Sequence, residues 1–229
     1  MLKRFFVNIL LLLFIVATLT FGCSCKKQTA KENTINNPFD YDTMESFEQK
    51  NAGIPIDEYR EVMNKTYQLS KQDNMQDVII TANDKEITRY EYESLKLIKE
   101  VQYKITEKQI IYSIIKPRIL NSEAEKLVLS PNQTDIDGYM ADARKVMEDE
   151  DLYVGGGEYV NVYMDCMHLT REEYLDDQRK NAYNMFQREA LYKYAQTLNE
   201  YESYEEYEKH LINSAKIVFH DPEIEKLCK

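Results

Sequence analysis

Three histidines, four cysteines and two runs of carboxylates are the groups in this 229-residue chain that could do chemistry. His168 precedes a threonine that can cap a helix, His210 lies on an amphipathic stretch, and His220 ends a β-branched run. Each reads as a solvated or structural residue. No side chain stands with any of them in a nucleophile-and-base pattern, so no catalytic residue is expected. Glu148-Asp149-Glu150-Asp151 and the acidic stretch Glu200 to Glu208 carry oxygen ligands that suit calcium, but neither has the spacing of an EF-hand loop. They read as solvated acidic faces. No CxxC pair or Cys/His cluster suggests a metal site, and no cofactor is expected. Gly155-Gly156-Gly157 lacks the Lys-Ser/Thr and the strand–loop–helix setting of a phosphate cradle and reads, with the acidic run before it, as a flexible loop. Cys166 and Cys228 could pair in an oxidising compartment, although their spacing does not require it. Asn64-Lys65-Thr66 and Asn132-Gln133-Thr134 match the glycosylation pattern and read as chance.

Cys23 is the one cysteine in an informative context. Lys3 and Arg4 precede an apolar run from Phe5 to Gly22, broken only by Asn8, Thr18 and Thr20. That order of charge, apolar core and small residue is the pattern of an export signal. Leu19-Thr20-Phe21-Gly22-Cys23 resembles a bacterial lipobox, with Thr20 where that pattern prefers Leu. The resemblance implies cleavage before Cys23, lipidation of Cys23, and a body held at the outer face of a bacterial cell membrane. Several acyl chains hold firmly where one would not. An uncleaved membrane helix and an ordinary signal cut near Gly22 are the alternatives. Removing residues 1–22, which hold two basic residues and no acidic one, takes the net charge from −11 to −13. Such a balance argues against nucleic acid and against a body lying flat on anionic lipid.

The remaining 207 residues suffice for one domain with a helical appendage. With 6 Gly and 5 Pro, and abundant Glu, Lys, Leu and Tyr, the composition suits helices. The expected organisation is a signal peptide at 1–22, a lipid-anchored flexible tether at 23–55, an accessory helix and linker at 56–76, and a helical domain at 77–229. Residues 77–82 form a short strand signal, Asn83-Asp84-Lys85 a turn, and Lys216 to His220 a second strand closed by Asp221-Pro222. Capping boxes at Thr88/Glu91, Thr106/Gln109, Thr170/Glu173 and Ser203/Glu206 open four helices. The first carries Tyr92, Leu95, Ile98, Val101 and Ile105 on one face, and Pro117 should kink or restart the second. Thr134 or Asp135 caps a helix through Met147. Tyr159 to Met167 make a short amphipathic helix, and the helix after Thr170 runs to about Leu198. The expected fold class is mainly α, with the strand at 78–82 pairing with 216–220 to join the two ends of the domain.

This bracketed layout resembles the N-terminal chaperone domain of the SurA/PrsA-type extracytoplasmic folding factors. The likeness is carried by Val78 to Tyr92, by Ile119 to Asp137, and by His168 to Leu175 together with Ala215 to Glu223. It covers roughly residues 77–227. Asp84 stands where the family usually has Gly. The stretch from Tyr194 to Ile217 leaves no room for the parvulin-type isomerase domain that many members carry there, so isomerase activity is not carried over. The resemblance implies a non-catalytic cradle for unfolded or extended segments of exported proteins. The alternatives are an envelope assembly protein with one specific partner and, remotely, a prolyl isomerase. Tyr139, Met140, Tyr159, Tyr163, Met167, Met185 and Phe186 recur at helical spacing. They are either core or an adaptable apolar groove, and sequence assigns no peptide-binding residue among them.

Overall fold

A computed structural model describes residues 34–35, 38–39, 44, 48–49, 53–148 and 156–229. The signal segment 1–22, Cys23, Cys25 and most of the tether stretch lie outside the described residues, as does 149–155, which holds most of the expected acidic and glycine-rich loop. The described residues are mainly helical, with eight helices and a small antiparallel sheet.

The strands are β1 (Thr34–Ile35), β2 (Glu48–Gln49), β3 (Val78–Ala82), β4 (Lys85–Thr88), β5 (Tyr103–Lys104) and β6 (Ile217–Phe219). The helices are α1 (Ile56–Leu69), α2 (Arg89–Gln102), α3 (Glu107–Lys126), α4 (Gln133–Glu148), α5 (Gly156–Met167), α6 (Arg171–Ala195), α7 (Tyr204–Ser214) and α8 (Pro222–Leu227). The main sheet has the order β1-β6-β3-β4. β3 pairs antiparallel with β6, Ile80 opposite Phe219, Thr81 opposite Val218 and Ala82 opposite Ile217. The two ends of the domain therefore meet as the β-branched runs suggest. A second, two-stranded pairing joins β2 to β5.

Asn83 makes the junction. It sits at φ 55°, a left-handed conformation that asparagine tolerates better than most residues. Its N–H donates to the Lys216 carbonyl at 2.7 Å, and its side-chain Oδ1 accepts from the Lys216 N–H at 3.0 Å. Asp84 is not among the positive-φ residues, so the turn needs no glycine there. Below the turn, the His220 N–H donates to the Ile79 carbonyl at 2.8 Å, and Arg89 forms an ion pair with Asp221.

The boxes opening α2, α3 and α6 form as read, each with reciprocal bonds between the cap and the third residue. The fourth is shifted: Ser203 accepts from the Glu206 N–H, but the Glu206 carboxylate takes the Glu202 N–H. Several boundaries differ from the sequence reading. α2 stops at Gln102 because Tyr103 is extended and pairs with β2, which leaves Ile105 outside the helix. α3 runs unbroken through Pro117. Ile114, Ile115, Ile119 and Leu120 are buried on both sides of the proline, and at about 1.5–3 kcal/mol per buried side chain they outweigh one lost backbone bond. Asn132, ahead of both Thr134 and Asp135, caps α4 by accepting the Thr134 N–H. α5 begins at Gly156, so Gly156 and Gly157 are helical and not loop. α6 ends at Ala195, three residues short of Leu198. After β6, Asp221 caps α8, with Pro222 in the first turn, a helix the sequence reading missed.

Two cores result. The first joins the sheet to α3, the start of α2, the end of α6, α7 and α8, and includes Ile80, Ile87, Ile111, Ile115, Leu191 and Phe219. The second joins α1 and α5 to the other ends of α2 and α6 through Tyr59, Met63, Ile98, Tyr163 and Tyr174. A smaller cluster of Ile136, Met140 and Ala182 ties α4 to the middle of α6. The helix read as accessory, α1, thus contributes directly to the second core. Part of the stretch read as tether also packs: Phe39 is buried and belongs to the first core, and β1 pairs with β6.

Candidate functional site

The chemistry-bearing residues are held in separate places. His168 closes α5 at φ 54°, where the Leu169 N–H reaches the Met164 carbonyl and the His168 N–H the Asp165 carbonyl. This is a Schellman closure, and the ring stands edge-on to Tyr67. His220 shares a 2.7 Å hydrogen bond with the Thr81 hydroxyl across the sheet, and His210 lies beside the Tyr201 ring. Cys166 and Cys228 are free and buried in different cores, so the disulfide that the sequence left open is not formed. Burial pushes the Cys166 thiol up and the Cys228 thiol up to about 12, which keeps both protonated and poor as nucleophiles. The acidic stretch 200–208 is not wholly solvated: Glu208 is buried and pairs with Lys116 at 2.7 Å. No group of three His, Cys, Asp or Glu among the described residues is placed to hold a metal ion.

The aromatic and methionine set divides between core and half-buried packing. Met140 and Tyr163 are buried. Tyr139, Tyr159, Met167 and Phe186 are half-buried and packed against the second and third clusters, and Met185 is half-buried. Tyr139 and Phe186 pack between α4 and α6, while Tyr159 stands against Tyr59 of α1. A polar stripe runs along α6. Gln178 is fully buried and its Oε1 accepts from the Tyr139 hydroxyl at 3.1 Å. The Gln178 Nε2 and the Asn181 Nδ2 make no hydrogen bond with the described protein, although three-residue spacing puts both on one helix face. Two amide donors in an apolar interior can donate to a carbonyl or to a water.

Two surface features remain. A shallow groove of about 490 Å³ lies between α1 and α2, with Leu69 and Leu97 among its lining and the Glu61–Lys65 ion pair, at 2.7 Å, on its wall. The apolar surface it exposes is small for an extended ligand. The second feature is the outer edge of β6. There Thr34 lies opposite Val218 and Ile35 opposite Ile217. The Phe39 ring rests against Tyr112, centroids 5.6 Å apart, and Met44 packs on the same core. An extended segment is thus seated on the edge of the closing strand with an aromatic anchor four residues along.

No family model, curated protein or solved structure matches this chain. No helix among the described residues is long and apolar enough to cross a membrane.

Sequence reasoning missed the seated segment, the polar stripe and Lys99, a buried lysine on α2. A signal for the first was present. Phe39, Tyr41, Met44 and Phe47 interrupt an otherwise polar stretch, which a free tether has no need to carry. The stripe gave none, because a buried amide and an exposed one look alike in sequence.

Proposed function

We infer that this chain is a membrane-tethered, chaperone-like lipoprotein of the extracytoplasmic face that holds unfolded or extended segments of exported proteins without catalysis. The observation that carries the reading is the antiparallel pairing of β3 with β6 around a set of amphipathic helices, the layout on which the resemblance to the SurA/PrsA-type chaperone domain rests. The export pattern before Cys23 supports the compartment.

The test is client aggregation. The chain lacking residues 1–25, added in excess to several chemically unfolded exported proteins, is expected to slow their light-scattering rise. No effect on any of them overturns the reading. Cys23→Ala is expected to abolish lipid labelling in the producing bacterium and to leave unprocessed precursor, and unchanged labelling overturns the anchor.

A second reading is an assembly protein with a single partner. Tyr183 and Tyr192 favour it, since both are exposed on α6 and tyrosine is enriched at specific contact faces. Crosslinking from membranes separates the two: one stoichiometric protein supports the second reading, and many weak clients the first.

A further inference from the structure

β6 is the strand that closes the domain, and its two edges are held differently. On the inner side, β3 covers it with a three-residue ladder reinforced by Asn83 and by His220. On the outer side, among the described residues, it is covered by Thr34 and Ile35. A strand edge is a row of backbone donors and acceptors that binds any extended chain, and neighbouring side-chain pockets then select among chains. Such a pocket is present. Phe39 follows Ile35 by four residues, is 4% exposed, and sits against Tyr112 of α3 within the first core. Among the described residues, a two-residue ladder, Phe39 and Met44 hold this segment.

We propose that the outer edge of β6, with the cleft beside Tyr112, is the acceptor site for an extended polypeptide, and that Thr34, Ile35 and Phe39 occupy it as the chain's own stand-in until a client strand displaces them. The occupant is defined by what the stand-in shows: a β-branched residue on the ladder and an aromatic residue four positions later. This deepens the chaperone reading above and rests on it. It also gives the lipid-proximal stretch a function beyond reach, because the segment that ties the body to the membrane competes with clients for the edge.

The test uses the full chain in detergent and a labelled synthetic peptide of residues 31–41, with binding read by fluorescence anisotropy. Phe39→Ala in the chain removes the anchor of the internal occupant and leaves the cleft intact. If the internal segment holds the site nine-tenths of the time, its release tightens peptide binding about tenfold. Thr34→Cys with Val218→Cys, in a Cys25→Ser background, joins two residues that face each other in the ladder. Oxidised, this chain is expected to bind no peptide, and dithiothreitol should restore binding in the same sample, which removes folding differences as an explanation. A peptide carrying Ala in place of Phe39 should bind more weakly throughout. Equal peptide affinity for the wild-type, Phe39→Ala and oxidised chains overturns the acceptor site.

Client aggregation measured on the same proteins separates the two claims. If the oxidised and wild-type chains slow aggregation equally, the acceptor site is overturned and the chaperone reading stands. If none slows it while the crosslink still controls peptide binding, the chaperone reading falls and the edge remains an acceptor for a specific strand.

Discussion

Lys99 is 5% exposed, and its ammonium lies 4.9 Å from the centre of the Tyr103 ring. Burial pushes its pKa down from 10.5 to about 8. The folded chain therefore binds fewer protons at this site than the unfolded chain between pH 8 and 10.5, and stability rises with pH across that window. Below pH 8 the full cost of burying the charge is present; at 1.36 kcal/mol per pKa unit it is on the order of 3 kcal/mol. Cys228, held up at about 12, acts in the opposite sense above pH 9, as do Tyr139 and Tyr207 above pH 10. Their folded pKa values are raised, so their contribution is lost as pH climbs. The wild type is therefore expected to gain stability from pH 8 to 9 and to lose it above 10. Lys99→Met should remove the first rise and keep the later fall, as read from urea midpoints at half-unit pH steps. Parallel profiles for the two proteins would count against a neutral-prone lysine. In the sequence Lys99 looks like any lysine on an amphipathic helix. Its burial depends on Tyr103, which leaves the helix to pair with β2, and no local pattern announces that.

Capping boxes were legible because their chemistry spans three residues and involves nothing distant. Their energetic weight was not, and two boxes with the same pattern differ sharply. Glu173 is solvent-exposed, and its carboxylate is held below the usual range by the Thr170 N–H and hydroxyl. Glu91 is 4% exposed and serves twice, accepting the Thr88 N–H at 2.7 Å and forming an ion pair with Arg118 of α3. Glu173→Ala should have only a small effect, because its carboxylate stands in water and Thr170 still caps the helix. Glu91→Ala should cost about 3–5 kcal/mol, because it leaves a part-buried guanidinium unpaired. Urea unfolding of both variants checks the ratio, and equal losses would refute it. The end of α3 makes the reverse case. Val128 sits at φ 56° and is 84% exposed, in the closing position of a Schellman motif whose 2.9 Å bonds run from Val128 to Glu125 and from Leu129 to Ala124. Left-handed backbone costs a non-glycine residue roughly 1–2 kcal/mol, offset in part by the entropy glycine loses on folding. Val128→Gly should therefore stabilise the chain by about 0.5–1 kcal/mol, visible as a higher melting temperature.

The meeting of β3 and β6 could be read from the sequence because both are β-branched runs at the ends of one helical stretch. The two-core arrangement could not, and α6 is the reason. Its 25 residues span about 37 Å at 1.5 Å per residue, and they face three different clusters in turn. Tyr174 enters the second core, Ala182 the third cluster, and Leu191 and Ala195 the first core. Between them Asp177, Gln178, Asn181 and Gln187 are buried as well. A helix whose buried face rotates along its length, with amides on that face, has no apolar stripe to read. α2 is shared in the same way, giving Tyr92 and Leu95 to the first core and Ile98 to the second. This sharing has a thermodynamic consequence. Neither core can lose its packing without exposing apolar surface on a helix that the other core needs, so the described body should unfold in one transition. Phe219 and Tyr174 are buried at opposite ends of this arrangement, 5% and 0% exposed. Phe219→Ala and Tyr174→Ala should each cost about 3–5 kcal/mol and shift the same single transition. With 18 Tyr and no Trp, tyrosine fluorescence reports on both cores and circular dichroism on the helices. Coincident curves by the two probes are expected for the wild type and both variants. If Tyr174→Ala unfolded one fraction of the signal early and left the rest at the wild-type midpoint, α6 would not couple the cores, and the closing strand would hold only its own half of the molecule.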